Sequence, residues 1–133
     1  LYIDSDVELW KNPTPLLEHQ AFAAHEDTNT IPDAILAFEP GHPVVPLMIA
    51  EAITWLADGA WESGPGVSTR QLAHRDDVTL LPTAWLYPYH WKPSEKRRYD
   101  ITTPRGRTNL RNLRATSPDT FMAHYWRHSW KGA

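Results

Sequence analysis

The chain has 133 residues, 41% of them apolar and 22% charged, with a net charge of −3 and no cysteine. That suffices for one domain with a real core. It rules out disulfides and thiolate metal sites, and no run approaches the roughly 18–20 uncharged apolar residues of a membrane span. No secretory leader is legible at the start, and with cysteine absent the expectation is a cytoplasmic protein. Charge is uneven along the chain. Residues 1–62 hold a single base, Lys11, whereas Lys92, Lys96, Arg97, Arg98, Arg105, Arg107, Arg111 and Arg114 face only Glu95 and Asp100. Such a block suits an anionic surface, which would make the protein membrane-peripheral. No nucleic-acid partner is expected.

In chain order, Leu1-Tyr2-Ile3 opens as a buried strand that ends at Asp4, with Ser5-Asp6 turning out of it. A buried strand needs neighbours on both sides, so sequence upstream is expected. Ala21 to His25 reads as a short strand, and residues 35–38 as a second short apolar run, strand or helix. The strongest helix signal covers residues 43–58. Pro43 and Pro46 fall in the first turn, Gly59 follows as a stop, and Val45, Ile49, Ala52, Ile53 and Leu56 share one face. Ser63-Gly64-Pro65-Gly66 reads as a tight loop before a helix at 67–74, and the β-branched run 77–81 as a strand closed by Pro82. Residues 92–118, basic and interrupted by prolines, read as an irregular insertion and the least ordered part of the chain. Residues 121–126 read as a final strand. Short strands alternating with helices argue for an α/β layer.

Three groups could carry chemistry. Asp4 and Asp6 are two apart, so at a strand end both carboxylates can converge on one cation. Hard oxygen ligands suit Mg²⁺ or Mn²⁺. Such a pair at the carboxyl edge of a strand is also where α/β folds place ligands. On a helix His124 and His128 could share a zinc ion. Their aromatic neighbours favour a strand instead, and no glutamate is placed as in a zinc protease. Gly64-Pro65-Gly66 allows close approach of backbone to a ligand. His42 and His90 lie in proline-containing turns and read as structural.

The ordered set is more specific than any member: Tyr2-Ile3-Asp4-Ser5-Asp6, Ala34-Ile35-Leu36-Ala37-Phe38-Glu39-Pro40-Gly41-His42-Pro43, Gly64-Pro65-Gly66, Tyr87-Pro88-Tyr89-His90-Trp91, and His124 through Ser129-Trp130. It resembles the glycosyltransferases with a DXD-containing sugar-binding region. That family includes initiating α-1,6-mannosyltransferases and bacterial capsular polysaccharide enzymes, and is similar to the catalytic domain of the large glucosylating toxins. The resemblance covers the chain except about residues 92–118.

It implies a GT-A fold, retaining transfer from a nucleotide-sugar donor to a carbohydrate, lipid or protein acceptor, and Mn²⁺ or Mg²⁺ as cofactor. By the family pattern Asp4, Asp6 and His124 hold the metal, with Tyr2, Asp4, Asp33, Ser129 and Trp130 on the nucleotide sugar. Gly64, Pro65 and Gly66 border the sugar or acceptor. The chain departs from the pattern in three places. The family's nucleotide-binding half would precede Leu1, so residues 1–133 are expected to be one partial GT-A domain, its C-terminal metal and acceptor portion. Asp33 stands where the family often has Asn, and Arg127 and His128 stand where small residues commonly precede the Ser-Trp pair. The alternative is a non-catalytic carbohydrate-binding or remnant domain.

Overall fold

The computed structural model describes residues 1–58 and 62–127. It is a mixed α/β fold. A four-stranded sheet runs in the order β1 (Tyr2–Ile3), β4 (Ile35–Phe38), β3 (Ala21–Ala24), β5 (Thr79–Leu81). β4 pairs antiparallel with both β1 and β3, while β3 and β5 are parallel, with Ala23 opposite Leu80. A separate ribbon pairs β2 (Val7–Leu9) with β6 (Met122–His124), setting Val7 opposite His124. The helices are α1 (Val44–Trp55), α2 (Val67–Leu72), α3 (Thr83–Leu86), α4 (Pro93–Arg98) and α5 (Pro104–Thr116).

The two-residue period of a strand sorts the core into two layers. From β3 and β4, Phe22, Ala24, Ile35 and Ala37 face a cluster with Trp10, Leu86, Leu110, Met122 and Trp126. Their neighbours Ala21, Ala23 and Leu36 face Ile31, Val44, Leu72 and Val78. One side of the sheet is thus covered by α1 and α2, the other by α3, α5 and the ribbon. All four residues of β3 are buried, as befits a strand paired on both sides. Phe22 is wholly buried, and cutting it back to alanine would cost about 3–5 kcal/mol.

Four sequence expectations need correction. β1 is an edge strand with β4 as its neighbour, and Leu1 and Tyr2 are exposed. Antiparallel pairing to β4 alone positions Asp4, whose amide donates to the Ala34 carbonyl at 2.8 Å. The basic segment is not irregular but forms α4 and α5. Pro93 and Pro104 occupy first-turn positions, where a missing N–H costs nothing. The Thr103 hydroxyl caps α5 by accepting from the Gly106 amide at 3.0 Å, and Leu110 anchors the helix in the core. α1 spans the expected residues, with a 3₁₀ turn at Leu56–Asp58. The face bearing Ile49, Ile53 and Leu56 nevertheless points outward, because the sheet takes the opposite face through Val44. Finally, the Gly-Pro-Gly segment is a π-helical turn, Glu62–Gly66, leading straight into α2. Gly59 lies outside the described residues. Among the described residues no helix is long and apolar enough to cross a membrane.

Candidate metal centre

Asp4 leaves the end of β1 and Asp6 precedes β2. The ribbon then brings β6, more than a hundred residues later in sequence, against both. Asp4, Asp6 and His124 each offer one ligand atom, and the three atoms lie within 4.8 Å of one another. His124 Nε2 lies 3.1 Å from Asp6 Oδ1. The other Asp6 oxygen, Oδ2, accepts the Arg127 amide at 2.6 Å. The Arg127 amide is aimed there by Trp126, which has a left-handed φ of 56°, a conformation uncommon for a large side chain. Trp126 in turn packs its ring 4.2 Å from His124 and donates its indole N–H to the Tyr89 carbonyl at 3.1 Å.

Electrostatics favour a neutral ring at His124. Burial pushes its pKa down, against the opposing pull of Asp6 and Asp4. Nε2 faces the carboxylates and, 3.1 Å from Asp6 Oδ1, carries the proton of a neutral ring in the ion-free protein, so ligation through Nε2 requires that proton to be lost or moved to Nδ1. Nδ1 is buried without a hydrogen-bond partner among the described residues, so the acceptor that commonly orients a ligating histidine is not found among them. Two carboxylate oxygens and one imidazole nitrogen could hold a divalent cation and would leave coordination positions open.

The flanking residues named from sequence gather here too. Tyr2 donates its hydroxyl to Asp4 Oδ1 at 2.7 Å. That bond, with burial and the charge of Asp4, pushes the phenol up to about 12. Burial raises the Asp33 carboxyl, and repulsion from Asp4 adds to it. The π-turn closes on Asp33 so tightly that a Cβ on Gly64 would lie 2.6 Å from Asp33 Oδ2. Thr69 of α2 holds the turn, donating to the Pro65 carbonyl at 2.7 Å and accepting the Ile31 amide at 2.9 Å. Tyr2, Asp4, Asp6, Asp33, Gly64 and His124 therefore belong to one neighbourhood. Ser129 and Trp130, and with them the expected lid, lie outside the described residues, as does His128.

Sequence reading missed two features. Tyr87 is buried, and burial together with Glu26, Asp33 and Asp4 holds its pKa well above the usual value. A second acid group joins Glu26, Asp27 and His90. Burial and the Asp27 charge push Glu26 up to about 7. Burial acts on Asp27 in the same direction, but the Asn29 and Thr30 amides, each at 2.8 Å, outweigh it and lower its pKa. His90 Nδ1 accepts the Lys92 amide at 3.1 Å. A neutral ring therefore carries its proton on Nε2, 3.8 Å from Asp27 Oδ2, which is the wrong tautomer for ligating a metal through that atom. The aromatic run around Tyr87 and His90 was visible in sequence, but its meeting with Glu26 depends on β3 lying in the sheet interior. His42 is structural, as expected: Nδ1 accepts the Val44 amide at 3.3 Å and Nε2 sits 3.2 Å from the Asp77 carbonyl.

No protein-family model, curated protein or solved structure matches the chain.

Proposed function

We propose that the chain is the metal and acceptor portion of a nucleotide-sugar-dependent glycosyltransferase of the GT-A type, acting with retention and with Mn²⁺ or Mg²⁺. The observation that carries the reading is the convergence of Asp4, Asp6 and His124 within 4.8 Å. They come from the two ends of the sequence and are the residues that the family resemblance assigns to the metal. When bound, the divalent ion neutralises the diphosphate and so stabilises it as a leaving group.

The protein's own residues then divide the work. Asp4 and Asp6 supply negative oxygens, and His124, held neutral by burial, adds a nitrogen ligand without adding charge. The Arg127 amide fixes Asp6 through Oδ2, leaving Oδ1 on the His124 side. Tyr2 orients Asp4 in the same way through Oδ1. Asp33 is placed to accept hydrogen bonds from sugar hydroxyls; when ionised it cannot donate. Gly64 keeps the adjoining backbone close to Asp33. The acceptor is a carbohydrate, lipid or protein group, and a cytoplasmic, membrane-peripheral site of action accompanies this proposal.

Hydrolysis of a panel of nucleotide sugars, with Mn²⁺, Mg²⁺ or chelator, tests the reading. Donor hydrolysis that needs the ion and is lost in Asp6→Asn is the expected result. Ion-independent hydrolysis unchanged in Asp6→Asn would refute the metal role. Metal-dependent sugar binding without turnover would establish the non-catalytic carbohydrate-binding alternative.

A further inference from the structure

A ligand-sized cleft among the described residues lies away from the acid cluster. It lies across the ribbon, where β2, the residue after β6 and helix α5 border an open groove of about 560 Å³, within the roughly 300–1,000 Å³ of small-molecule sites. Arg107, Arg111 and Arg114 line it from one face of α5, at spacings of four and three residues. Trp10, Leu110 and Tyr125 supply aromatic and apolar walls.

The cleft's own acid does not balance these bases. Glu8 is its single carboxylate. One Glu8 oxygen takes the Trp10 indole N–H at 3.2 Å and also the Tyr125 hydroxyl. The other lies 3.5 Å from Arg114 Nη1. Arg114 also donates to the Trp10 carbonyl at 3.0 Å, so it is tied into the wall. Arg107 spends one nitrogen on the Ile101 and Thr102 carbonyls, at 2.9 and 3.1 Å. Arg111 donates to the Thr108 hydroxyl at 3.3 Å. Among the described residues neither Arg107 nor Arg111 has a carboxylate partner. Two guanidinium forks thus border an apolar recess with their charge uncompensated, in a chain whose net charge is negative.

We infer that this cleft binds a phosphate ester with an apolar or aromatic portion. The phosphate sits on Arg107 and Arg111, and the apolar portion lies against Trp10 and Leu110. Guanidinium forks match phosphate oxygens in pairs, and two of them suit a dianion better than a single carboxylate would. A bare inorganic ion would leave most of the recess and its apolar wall unfilled. The inference does not rest on sugar transfer; a soluble organic phosphate and a phospholipid headgroup present the same chemistry.

Calorimetric titration of the protein with phenyl phosphate, phenol and inorganic phosphate tests it, alongside sedimentation with phosphatidylcholine vesicles with and without phosphatidic acid. Phenyl phosphate should bind more tightly than inorganic phosphate, and phenol not at all. Arg111→Gln removes no tertiary contact and should weaken phenyl phosphate about tenfold, the worth of one charge-assisted pair. Arg105→Gln, outside the cleft on the same helix, should change nothing. Vesicle binding that needs phosphatidic acid and Arg111 assigns the phosphate to a lipid; its absence, with phenyl phosphate still bound, assigns it to a soluble ester. No binding of phenyl phosphate up to about 10 mM, the limit of useful affinity, would overturn the inference. Equal loss in Arg105→Gln and Arg111→Gln, or equal affinity for inorganic and phenyl phosphate, would overturn it too.

Discussion

Gly106→Ala sets two physical effects against each other. Gly106 is the third residue of α5, and in an unencumbered helix alanine there would stabilise by about 1 kcal/mol. The surroundings oppose this. A Cβ on Gly106 would lie 1.8 Å from the Asp100 carbonyl oxygen and 2.5 Å from its carbon. These are backbone atoms, held because the same Asp100 oxygen accepts the Thr103 amide at 3.1 Å. Relief therefore requires α4 and α5 to part by more than an ångström or so. That loses the Thr103 cap on the Gly106 amide, about 1 kcal/mol, and adds an overpacking cost of about 1–3 kcal/mol. The clash outweighs propensity, leaving a net loss of about 2 kcal/mol. For a domain of this size that lowers the melting temperature by about 6–8 °C, read by circular dichroism. Asn112→Ala, exposed on the same helix, should raise it slightly, since there only propensity acts. A Gly106→Ala protein as stable as wild type would refute the close packing of the α4–α5 turn and with it the shape of the cleft.

Glu26 makes stability fall as pH rises. Its carboxyl, at about 7 in the fold against 4.5 ordinarily, holds a proton that the unfolded chain releases, so its contribution is complete below about 4.5 and lost on passing 7, at most about 3 kcal/mol. Urea midpoints from about pH 5 to 8 should therefore drop in wild type and flatten in Glu26→Gln; parallel curves would refute the assignment. Gly64→Ala should cost about 1 kcal/mol through its contact with Asp33, and that cost should vanish in an Asp33→Ala background. Additive effects in that cycle would show that the turn and Asp33 do not touch.

The sequence exposed some features because a local pattern coincides with a spatial one. β3 and β4 are short apolar runs bounded by polar turns, and α1 is delimited by Pro43 at its start. Asp4 and Asp6 flank a turn at a strand end, and His124 sits in an aromatic strand. Other features depend on what each element packs against. α1 is apolar nearly all round, so its own periodicity could not say which face the sheet would take. In residues 92–118 the abundance of charge obscured real helix signals. Thr103-Pro104 is a cap followed by a first-turn proline, and Leu110 and Leu113 recur at helical spacing toward the core. The grouping of Glu26 and Asp27 with His90 has no sequence signature, since the acid pair and the histidine lie in loops far apart in the chain. The same holds for the left-handed Trp126 that aims an amide at Asp6.

Charge balance gives the acid cluster its chemical direction. Asp4 and Asp6 converge, and the part-buried Asp33 is close enough for Asp4 to repel it. Among the described residues no lysine or arginine side chain forms an ion pair with any of the three. The one basic side chain among them, His124, has its pKa lowered by burial. Among the described residues the fold thus concentrates negative charge without an internal cation, and on the far side of the ribbon it leaves Arg107 and Arg111 without an acid partner. Either arrangement is self-repelling and would be relieved by a counter-charge from solution. The acid cluster offers carboxylate oxygens that can hold a divalent cation or accept from an ammonium group, and a metal reading rests on the ring nitrogen of His124 as a further ligand. If His124 were charged in the fold, it would supply the missing cation itself. The ring's titration by NMR tests this: a pKa below the ordinary 6.5 leaves the ring neutral, so that it can ligate a metal once Nε2 gives up the proton it shares with Asp6, whereas a value above it makes His124 and Asp6 a closed ion pair and removes the physical case for the metal centre.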